Sequence, residues 1–276
     1  MAYQIEYAYT CHMGRVRANN EDNFWCCGEK LEAENQGSHG VFTNRISQSR
    51  LPLLAVFDGM GGESCGEMAS YLAADSCGKY YQENKSVIRR EPEQFFAGLC
   101  RGMNQAVCSY SEENKIRSMG TTAAVLGFGK DMIYACNLGD SRIYQSYDGQ
   151  FRQISVDHVL SSVKFGKAPL TQYVGIPEES MSLDPSIAVY LPNKGARYLL
   201  CSDGMTDMLS DGEIADIMAR EISVRETVEI LLERALSKGG RDNVTIVLCE
   251  VREENQRGWT DRLLSWFGKR KHEGEA

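Results

Sequence analysis

Four short windows centred on aspartate constrain this chain more than any other feature. They are Phe57–Gly62, Leu138–Arg142, Ser202–Asp207 and Arg241–Asn243. Three of them directly follow an apolar run, as in Leu53–Phe57, so the aspartate stands where a buried strand ends. A carboxylate at that place costs free energy unless a partner compensates it. Because aspartate offers hard oxygen ligands on a short stem, the windows indicate a site for divalent cations such as Mg²⁺ or Mn²⁺.

The overall composition is that of a globular protein, and it excludes several classes of function. The chain has 276 residues, 42% of them hydrophobic, which is enough for a sizeable core in one or two domains. The net charge of −8 and the lack of a basic stripe argue against nucleic acid as a partner. No apolar stretch reaches the roughly 20 residues that span a membrane. The start at Met1–Glu6 lacks the basic and apolar regions of a signal peptide.

Ten cysteines are spread along the chain without any Cys-x-x-Cys pair. Most stand in apolar or helical contexts, such as Cys77, Cys136 and Cys249, so we interpret them as reduced core thiols of a cytoplasmic protein. The vicinal pair Cys26-Cys27 has two interpretations, redox activity or plain packing. The strand pattern around the pair favours packing, because a free cysteine behaves as a small hydrophobic residue.

The pattern of apolar residues predicts one mixed α and β domain. Alternation predicts a strand over Tyr3–Tyr9, and helical spacing predicts helices over Glu63–Tyr81 and after Pro92. Two capping boxes, in which a serine precedes a glutamate by three positions, predict helix starts at Ser210 and Ser223. Further strands are predicted at 121–128, 132–138, 142–147, 151–156 and 244–251. Runs of strands interleaved with pairs of helices indicate stacked antiparallel sheets covered by helices.

Two segments are assigned to turns and loops. Asp148-Gly149 separates two predicted strands, so we interpret it as a hairpin turn and not as a metal site. Residues 28–50 are polar, rich in Gly, Ser and Asn, and have no clear period. They are therefore predicted to form a loop or a loose hairpin.

The aspartate windows belong to a longer series of motifs. The series runs through residues 14–22, 58–62, 66–67, 120–122, 139–142, 157–158, 202–207 and 240–245. In content and order it resembles the metal-dependent serine/threonine protein phosphatases of type 2C, in their short bacterial form, over roughly residues 5–251. One such motif arises by chance, but eight in the same order do not.

The resemblance implies a fold, an activity and partners. The implied fold is α+β, with two stacked antiparallel β-sheets flanked by helices on both sides, over residues 1–254. Residues 255–276 would form a short amphipathic and charged tail. The implied activity is hydrolysis of phosphoserine and phosphothreonine in proteins by a water that bridges two Mn²⁺ or Mg²⁺ ions. The implied partners are phosphorylated cytoplasmic proteins, the substrates of a serine/threonine kinase, and the kinase itself.

The resemblance also assigns metal ligands. It implies that Asp58 bridges two ions and that the Gly59 carbonyl binds one of them, while Asp203 and Asp242 bind the other. These residue types suit the chemistry, because a phosphate monoester is dianionic and repels hydroxide. Two divalent cations neutralise it and hold both the attacking and the leaving oxygen.

Further roles follow from the same resemblance. Glu21 and Asp22 would hold metal-bound waters or touch the metal. Arg17 would grip the substrate phosphate, since its fork meets two phosphate oxygens at once. Asp140 matches a residue tied to a third, weaker metal, with Asp203 and Asp207 as its companions. Asp140 and Asp207 each have a structural alternative, a local hydrogen bond that caps a turn or a helix.

The sequence departs from the family pattern at two places. Glu63 and Met60 stand where many relatives have histidine, and His158 is interpreted as structural because a lone histidine is usually a hydrogen-bonding residue. The motif Asp157-His158 is followed almost at once by Lys164–Gly175. The flap that usually intervenes is therefore predicted to be short, and the active site open.

Two alternative functions are compatible with parts of the sequence. Cys11 and Arg17 fit the Cys-x-x-Gly-x-x-Arg loop of thiol phosphatases, in which a thiolate attacks phosphorus. However, the residues after Arg17 do not open a helix, which the thiolate would need for activation. The second alternative is a non-catalytic relative that binds phosphoproteins, and retention of the acidic residues argues against it.

The tail has its own pattern. Trp259, Leu263, Trp266 and Phe267 share one helical face, and Lys269–Lys271 follows. One interpretation is a short interfacial helix for a membrane or a partner. The other is a helix packed back on the domain, which large aromatic side chains favour.

Overall fold

Two antiparallel sheets lie face to face in this protein. The structure is a computed structural model that describes residues 3–61, 65–160 and 168–253. In spatial order, the first sheet contains β3 (Phe42–Ser47), β1 (Tyr3–His12), β12 (Val244–Glu253), β11 (Arg197–Cys201), β8 (Arg142–Tyr147) and β9 (Gln150–Gln153). The second contains β10 (Ser186–Tyr190), β7 (Ile133–Leu138), β6 (Ala123–Phe128), β4 (Leu53–Gly61) and β2 (Asp22–Cys26), with β5 (Met119–Thr121) paired to the end of β4.

Helices cover the outer face of each sheet. They are α1 (Gly66–Asn84), α2 (Pro92–Glu113), α3 (Asp203–Thr206), α4 (Asp211–Met218) and α5 (Val224–Ser237). Single 3-10 turns lie at Gln48–Arg50 and Val87–Arg89. In the described ranges no helix is long and apolar enough to cross a membrane.

Three apolar layers hold the sandwich together. One packs α1 and α2 against the second sheet, through side chains such as Phe57 and Phe96. A middle layer fills the space between the sheets, with Val56 facing Val247. A third packs α3 to α5 on the first sheet around Leu231. The predicted α+β fold, two stacked antiparallel sheets with helices on both sides, is confirmed.

Most predicted elements are present, with shifted boundaries. The first strand extends to His12, and the first helix is described from Gly66 to Asn84. The strand predicted over 121–128 is divided between β5 and β6, because Thr122 turns its backbone and side chain to Asp58. The strand predicted at 151–156 ends at Gln153.

The prediction of a loop or a loose hairpin over residues 28–50 is wrong in its second half. Phe42–Ser47 is an edge strand that pairs antiparallel with β1, from Tyr9↔Phe42 to Gln4↔Ser47. Its side chains are mostly exposed, so no alternation of apolar and polar residues marks it. The pairing, and not the strand's own pattern, determines its conformation.

Candidate metal centre

The aspartate windows meet because antiparallel pairing places the end of one strand beside the start of its neighbour. Asp22 at the start of β2 lies directly opposite Asp58 near the end of β4. Asp203 follows β11 and Asp242 precedes β12, and these two strands pair at Cys201↔Ile246. All four carboxylates therefore lie at one end of the sandwich.

Asp22 is the most deeply buried of these acids. It is 1% exposed, and its Oδ2 accepts hydrogen bonds from the hydroxyls of Ser202 and Thr245, each at 2.7 Å. Burial raises its pKa well above the ordinary range, and the nearby Asp58 and Asp242 carboxylates raise it further, while the two hydroxyls lower it. The position of Asp22 is thus fixed by β12 and by the residue that directly follows β11, both from the opposite sheet.

The backbone at Asp58 is fixed by two threonines. The Asp58 carbonyl accepts hydrogen bonds from the Thr122 N–H at 2.9 Å and the Thr121 hydroxyl at 3.0 Å. The Asp58 N–H donates to Thr122 Oγ1 at 3.0 Å. That hydroxyl in turn lies 2.7 Å from the hydroxyl of Ser141, the neighbour of Asp140. The Asp58 and Asp140 turns are therefore joined through buried side chains.

The region around Glu21 and Gly59 is packed backbone to backbone. The Gly59 N–H donates to the Glu21 carbonyl at 3.0 Å. A Cβ at Gly59 would collide with the Gly66 carbonyl, so only glycine fits where α1 begins. The Glu21 carboxylate accepts from the Asn19 amide at 3.3 Å. Burial raises the Glu21 pKa, and the Glu67 carboxylate adds to this effect.

Asn243 connects the loops of the site, and sequence reasoning had assigned it no role. Its Oδ1 accepts from the Glu21 N–H at 2.8 Å, and its Nδ2 donates to the Met13 and Asn19 carbonyls at 2.8 and 2.9 Å. Its own N–H donates to Asp242 Oδ1 at 2.9 Å. The signal available in the sequence was its place directly after Asp242, within the last motif.

Arg17 reaches the site from a loop in the first motif. Its Nη2 donates to Asp242 Oδ2 at 2.7 Å, and the two side chains are 46% and 27% exposed. The hydrogen bond to Asp242 raises the Arg17 pKa, so the guanidinium stays charged. Arg17 is therefore a cation beside a group of carboxylates, with much of its fork open to solvent.

The remaining predicted residues lie at the edge of this centre. Asp140 follows β7 in a turn where Gly139 has a φ of +99°, and Asp207 is exposed at the end of α3. His158 accepts from the Gly139 N–H at 3.2 Å, and its Nε2 lies 2.9 Å from the Ser186 hydroxyl. His158 thus supports the Asp140 turn, as its structural interpretation predicted.

The chemistry of the donors suits hard divalent cations, since carboxylate and carbonyl oxygens are the ligands they prefer. Within the described residues, however, no three or more His, Cys, Asp or Glu side chains are already grouped to hold one ion. Asp242 is instead paired with Arg17, and Asp22 with two hydroxyls.

The thiol-phosphatase alternative does not fit this geometry. Cys11 is fully buried on β1, and burial raises its thiol pKa to about 12. Its sulfur accepts from the Thr245 hydroxyl and the Asn20 amide, each at 3.1 Å. A buried neutral thiol is not a nucleophile. Arg17 meanwhile is directed to Asp242.

Comparisons with known proteins identify the class of protein to which this chain belongs, the phosphoprotein phosphatases. The family model described as protein phosphatase 2C matches residues 35–239. The chain belongs to the protein phosphatase 2C family, and it is a protein-serine/threonine phosphatase.

Individual relatives match over nearly the whole chain. The serine/threonine phosphatase Stp of Listeria welshimeri is 29% identical over 252 residues, 86% of this chain and 92% of its own. Protein phosphatase PhpP of Streptococcus pneumoniae is 29% identical over 265 residues, 91% of this chain and 99% of its own. The catalytic domain of Mycobacterium tuberculosis PstP, solved in complex with two manganese ions, has a TM-score of 0.72 at 27% identity, over 92% of this chain and 100% of that one.

Proposed function

We propose that this protein hydrolyses phosphoserine and phosphothreonine with divalent cations, Mn²⁺ or Mg²⁺, held at the end of the sandwich by Asp58, Asp203 and Asp242. The observation that carries the proposal is the meeting of Asp22, Asp58 and Asp242, whose carboxylates are close enough to influence one another. The mutual repulsion of these negative carboxylates is relieved when a cation binds. The related PstP domain in complex with two manganese ions supports the same stoichiometry.

The chain's own groups then have separate roles. The Gly59 carbonyl and the Glu21 and Asp22 carboxylates complete the set of oxygen donors, and Asp140 is the candidate for a third ion. When bound, the divalent ions neutralise the phosphate and supply an activated water as nucleophile. Arg17 would leave Asp242 and bind two phosphate oxygens through its fork.

The test compares two aspartate variants with a matched control. Asp58→Asn and Asp203→Asn should each lower kcat on a phosphothreonine peptide to below about one hundredth of wild type, because metal charge stabilisation is worth several kcal/mol. Both should also weaken Mn²⁺ binding measured by calorimetry. Asp148→Asn changes an aspartate that also precedes glycine, in the β8–β9 turn, and should leave both measurements unchanged.

Chelation provides a second measurement. EDTA should abolish hydrolysis, and added Mn²⁺ or Mg²⁺ should restore it. Activity that survives chelation, or that is lost when Cys11 is replaced by serine in a folded protein, would support the thiol mechanism instead.

Partners and location are inferred from chemistry. We infer that the substrates are targets of a serine/threonine kinase, and that the kinase itself is one of them. The buried thiols, such as Cys77, Cys136 and Cys249, suit a reducing compartment, which supports the cytoplasm. The short flap stays a prediction, because residues 161–167 lie outside the described parts of the chain.

A further inference from the structure

A buried asparagine on α2 holds the backbone of residues 174–176. Asn104 is 4% exposed. Its Oδ1 accepts hydrogen bonds from the Gly175 N–H at 2.7 Å and the Ile176 N–H at 3.0 Å. Its Nδ2 donates to the Ile176 carbonyl at 2.8 Å. One side chain therefore satisfies three backbone groups, of which the two of Ile176 are buried.

The segment held by Asn104 is bound in turn to the strand that supports Asp58. Val174 and Thr121 exchange two backbone hydrogen bonds, at 2.9 and 2.8 Å. The Thr121 hydroxyl donates to the Asp58 carbonyl at 3.0 Å. A continuous series of short contacts thus leads from α2, through Val174 and Thr121, to Asp58.

Close backbone packing makes the series of contacts between Asn104 and Asp58 rigid. Gly175 has a φ of +111°, and a Cβ there would lie 2.6 Å from the Met119 carbonyl. A Cβ at Gly120 would lie 2.9 Å from the Val174 carbonyl. Val174 and Thr121 are both 0% exposed. Because close-packed interiors transmit displacements, a shift of residues 174–176 would move Thr121 as well.

We propose that Asn104 is a positioning residue for the phosphatase reaction, which fixes Asp58 through residues 174–176 and Thr121. The inference rests on the proposed role of Asp58. Removal of the amide leaves three backbone groups without partners, and those of Ile176 are buried, so the segment should move away from α2. A displacement of about 1 Å at a catalytic group is enough to slow a reaction by orders of magnitude.

The experiment compares two buried amides. Asn104→Leu should lower kcat on a phosphothreonine peptide by at least about tenfold at saturating Mn²⁺, with KM changed less than about threefold. Substrate affinity should change little, because Arg17 is not part of the series. Mn²⁺ binding measured by calorimetry should weaken by about tenfold.

Gln48→Leu is the matched control. Gln48 is 5% exposed, and its Nε2 donates to the Gly129 and Lys130 carbonyls at 3.0 and 3.1 Å, beyond the far end of β6. The Gln48→Leu change should lower the Tm by about as much as Asn104→Leu, while kcat and Mn²⁺ affinity stay within about twofold of wild type. Asn104→Asp retains both accepted hydrogen bonds but replaces the donor with an oxygen that faces the Ile176 carbonyl and adds a buried charge, so a kcat below that of wild type is expected.

The alternative is a purely structural role for Asn104. If Asn104→Leu and Gln48→Leu lose similar Tm and both retain kcat and Mn²⁺ affinity, the positioning role is refuted. If Asn104→Leu does not fold, Asn104→Asp decides, and wild-type kcat and Mn²⁺ affinity in that variant would refute the role equally. Asp58→Asn in the same assays separates the two ideas. An active Asp58→Asn overturns the proposed function, whereas an inactive one beside a fully active Asn104→Leu overturns only this inference.

Discussion

At the scale of single residues, the Asp242 carboxylate already has two hydrogen-bond partners. Arg17 donates to its Oδ2 at 2.7 Å, and the Asn243 N–H donates to its Oδ1 at 2.9 Å. Both partners of the Arg17–Asp242 pair are partly exposed, and such pairs contribute only about 0–1 kcal/mol. In the proposed function, a cation at Asp242 and a phosphate at Arg17 would therefore separate them at little cost.

The first prediction concerns the shape of the Arg17 cation. Arg17→Lys should lower kcat/KM on a phosphothreonine peptide by about tenfold or more, because a point charge cannot replace the guanidinium fork. Inhibition by inorganic phosphate should weaken in parallel. The control is Arg45→Lys, since Arg45 pairs with Glu6 on the first sheet, outside the site. Unchanged kinetics and phosphate inhibition in Arg17→Lys would remove Arg17 from the phosphate site.

The second prediction concerns the ionisation of His158. Burial lowers its pKa below the ordinary value of 6.5, although Asp184 and Asp157 act in the opposite direction. The neutral ring accepts from the Gly139 N–H, so its contribution to stability is present above about pH 6.5 and is lost as pH falls through the folded-state pKa. NMR titration of the imidazole should give a midpoint below that of a histidine in the unfolded chain. A midpoint at or above 6.5 would contradict this interpretation.

The candidate ligands were easier to place from the sequence than the groups that contact them. Asp22, Asp58, Asp203 and Asp242 were all assigned to one site, and the structure places them at one end of the sandwich. Ser202 and Thr245, the partners of Asp22, lie inside two of the motifs but had no role assigned, and Asn104 lies in none of them. Their roles arise only when segments distant in the chain meet.

At the scale of elements, patterns that involve only a few neighbouring residues predicted the starts of helices correctly. Both capping boxes are present: the Ser210 and Ser223 side chains accept from the N–H groups of Glu213 and Glu226, and each glutamate accepts from the N–H of its serine. The edge strands β3 and β10 were missed. Their side chains are mostly exposed or half-exposed, so the segments have no apolar alternation. Pairing with β1 and β7 determines that they form strands, and a local sequence pattern does not reveal the pairing partner.

The third prediction follows from the second capping box. Ser223→Ala should lower the free energy of unfolding by about 1 kcal/mol, because the first turn of α5 loses its side-chain acceptor. In a domain of this size the Tm should fall by about 2–4 °C. Ser237→Ala is the control at the other end of α5, where the hydroxyl donates to the Arg234 carbonyl, and it should change stability by less than about 0.5 kcal/mol. Equal effects of the two changes would show that the box contributes nothing.

At the scale of the whole molecule, both sheets contribute aspartates to the candidate site. Asp22 and Asp58 lie on strands of the second sheet, whereas Asp203 and Asp242 flank strands of the first. Two hydroxyls of the first sheet's motifs cross to Asp22, so the site is complete only when the sheets are stacked. Sequence alone predicted the layers from the interleaved strands and helices, but the register that aligns these carboxylates became visible only in the structure.

The last prediction concerns residues 255–276, which lie outside the described residues. The catalytic motifs end at Asn243, and β12 ends at Glu253. Truncation after Glu254 should therefore leave the rate on a small phosphoester within about threefold of the full chain, since termini usually tolerate removal. If the aromatic face of the tail packs on the domain, truncation should lower the Tm by several degrees, as a loss of about 1–2 kcal/mol would. If the tail is a docking element, the Tm should hold while binding to anionic vesicles or to a partner is lost. A truncated protein that folds but does not hydrolyse the phosphoester would show that the tail belongs to the catalytic unit.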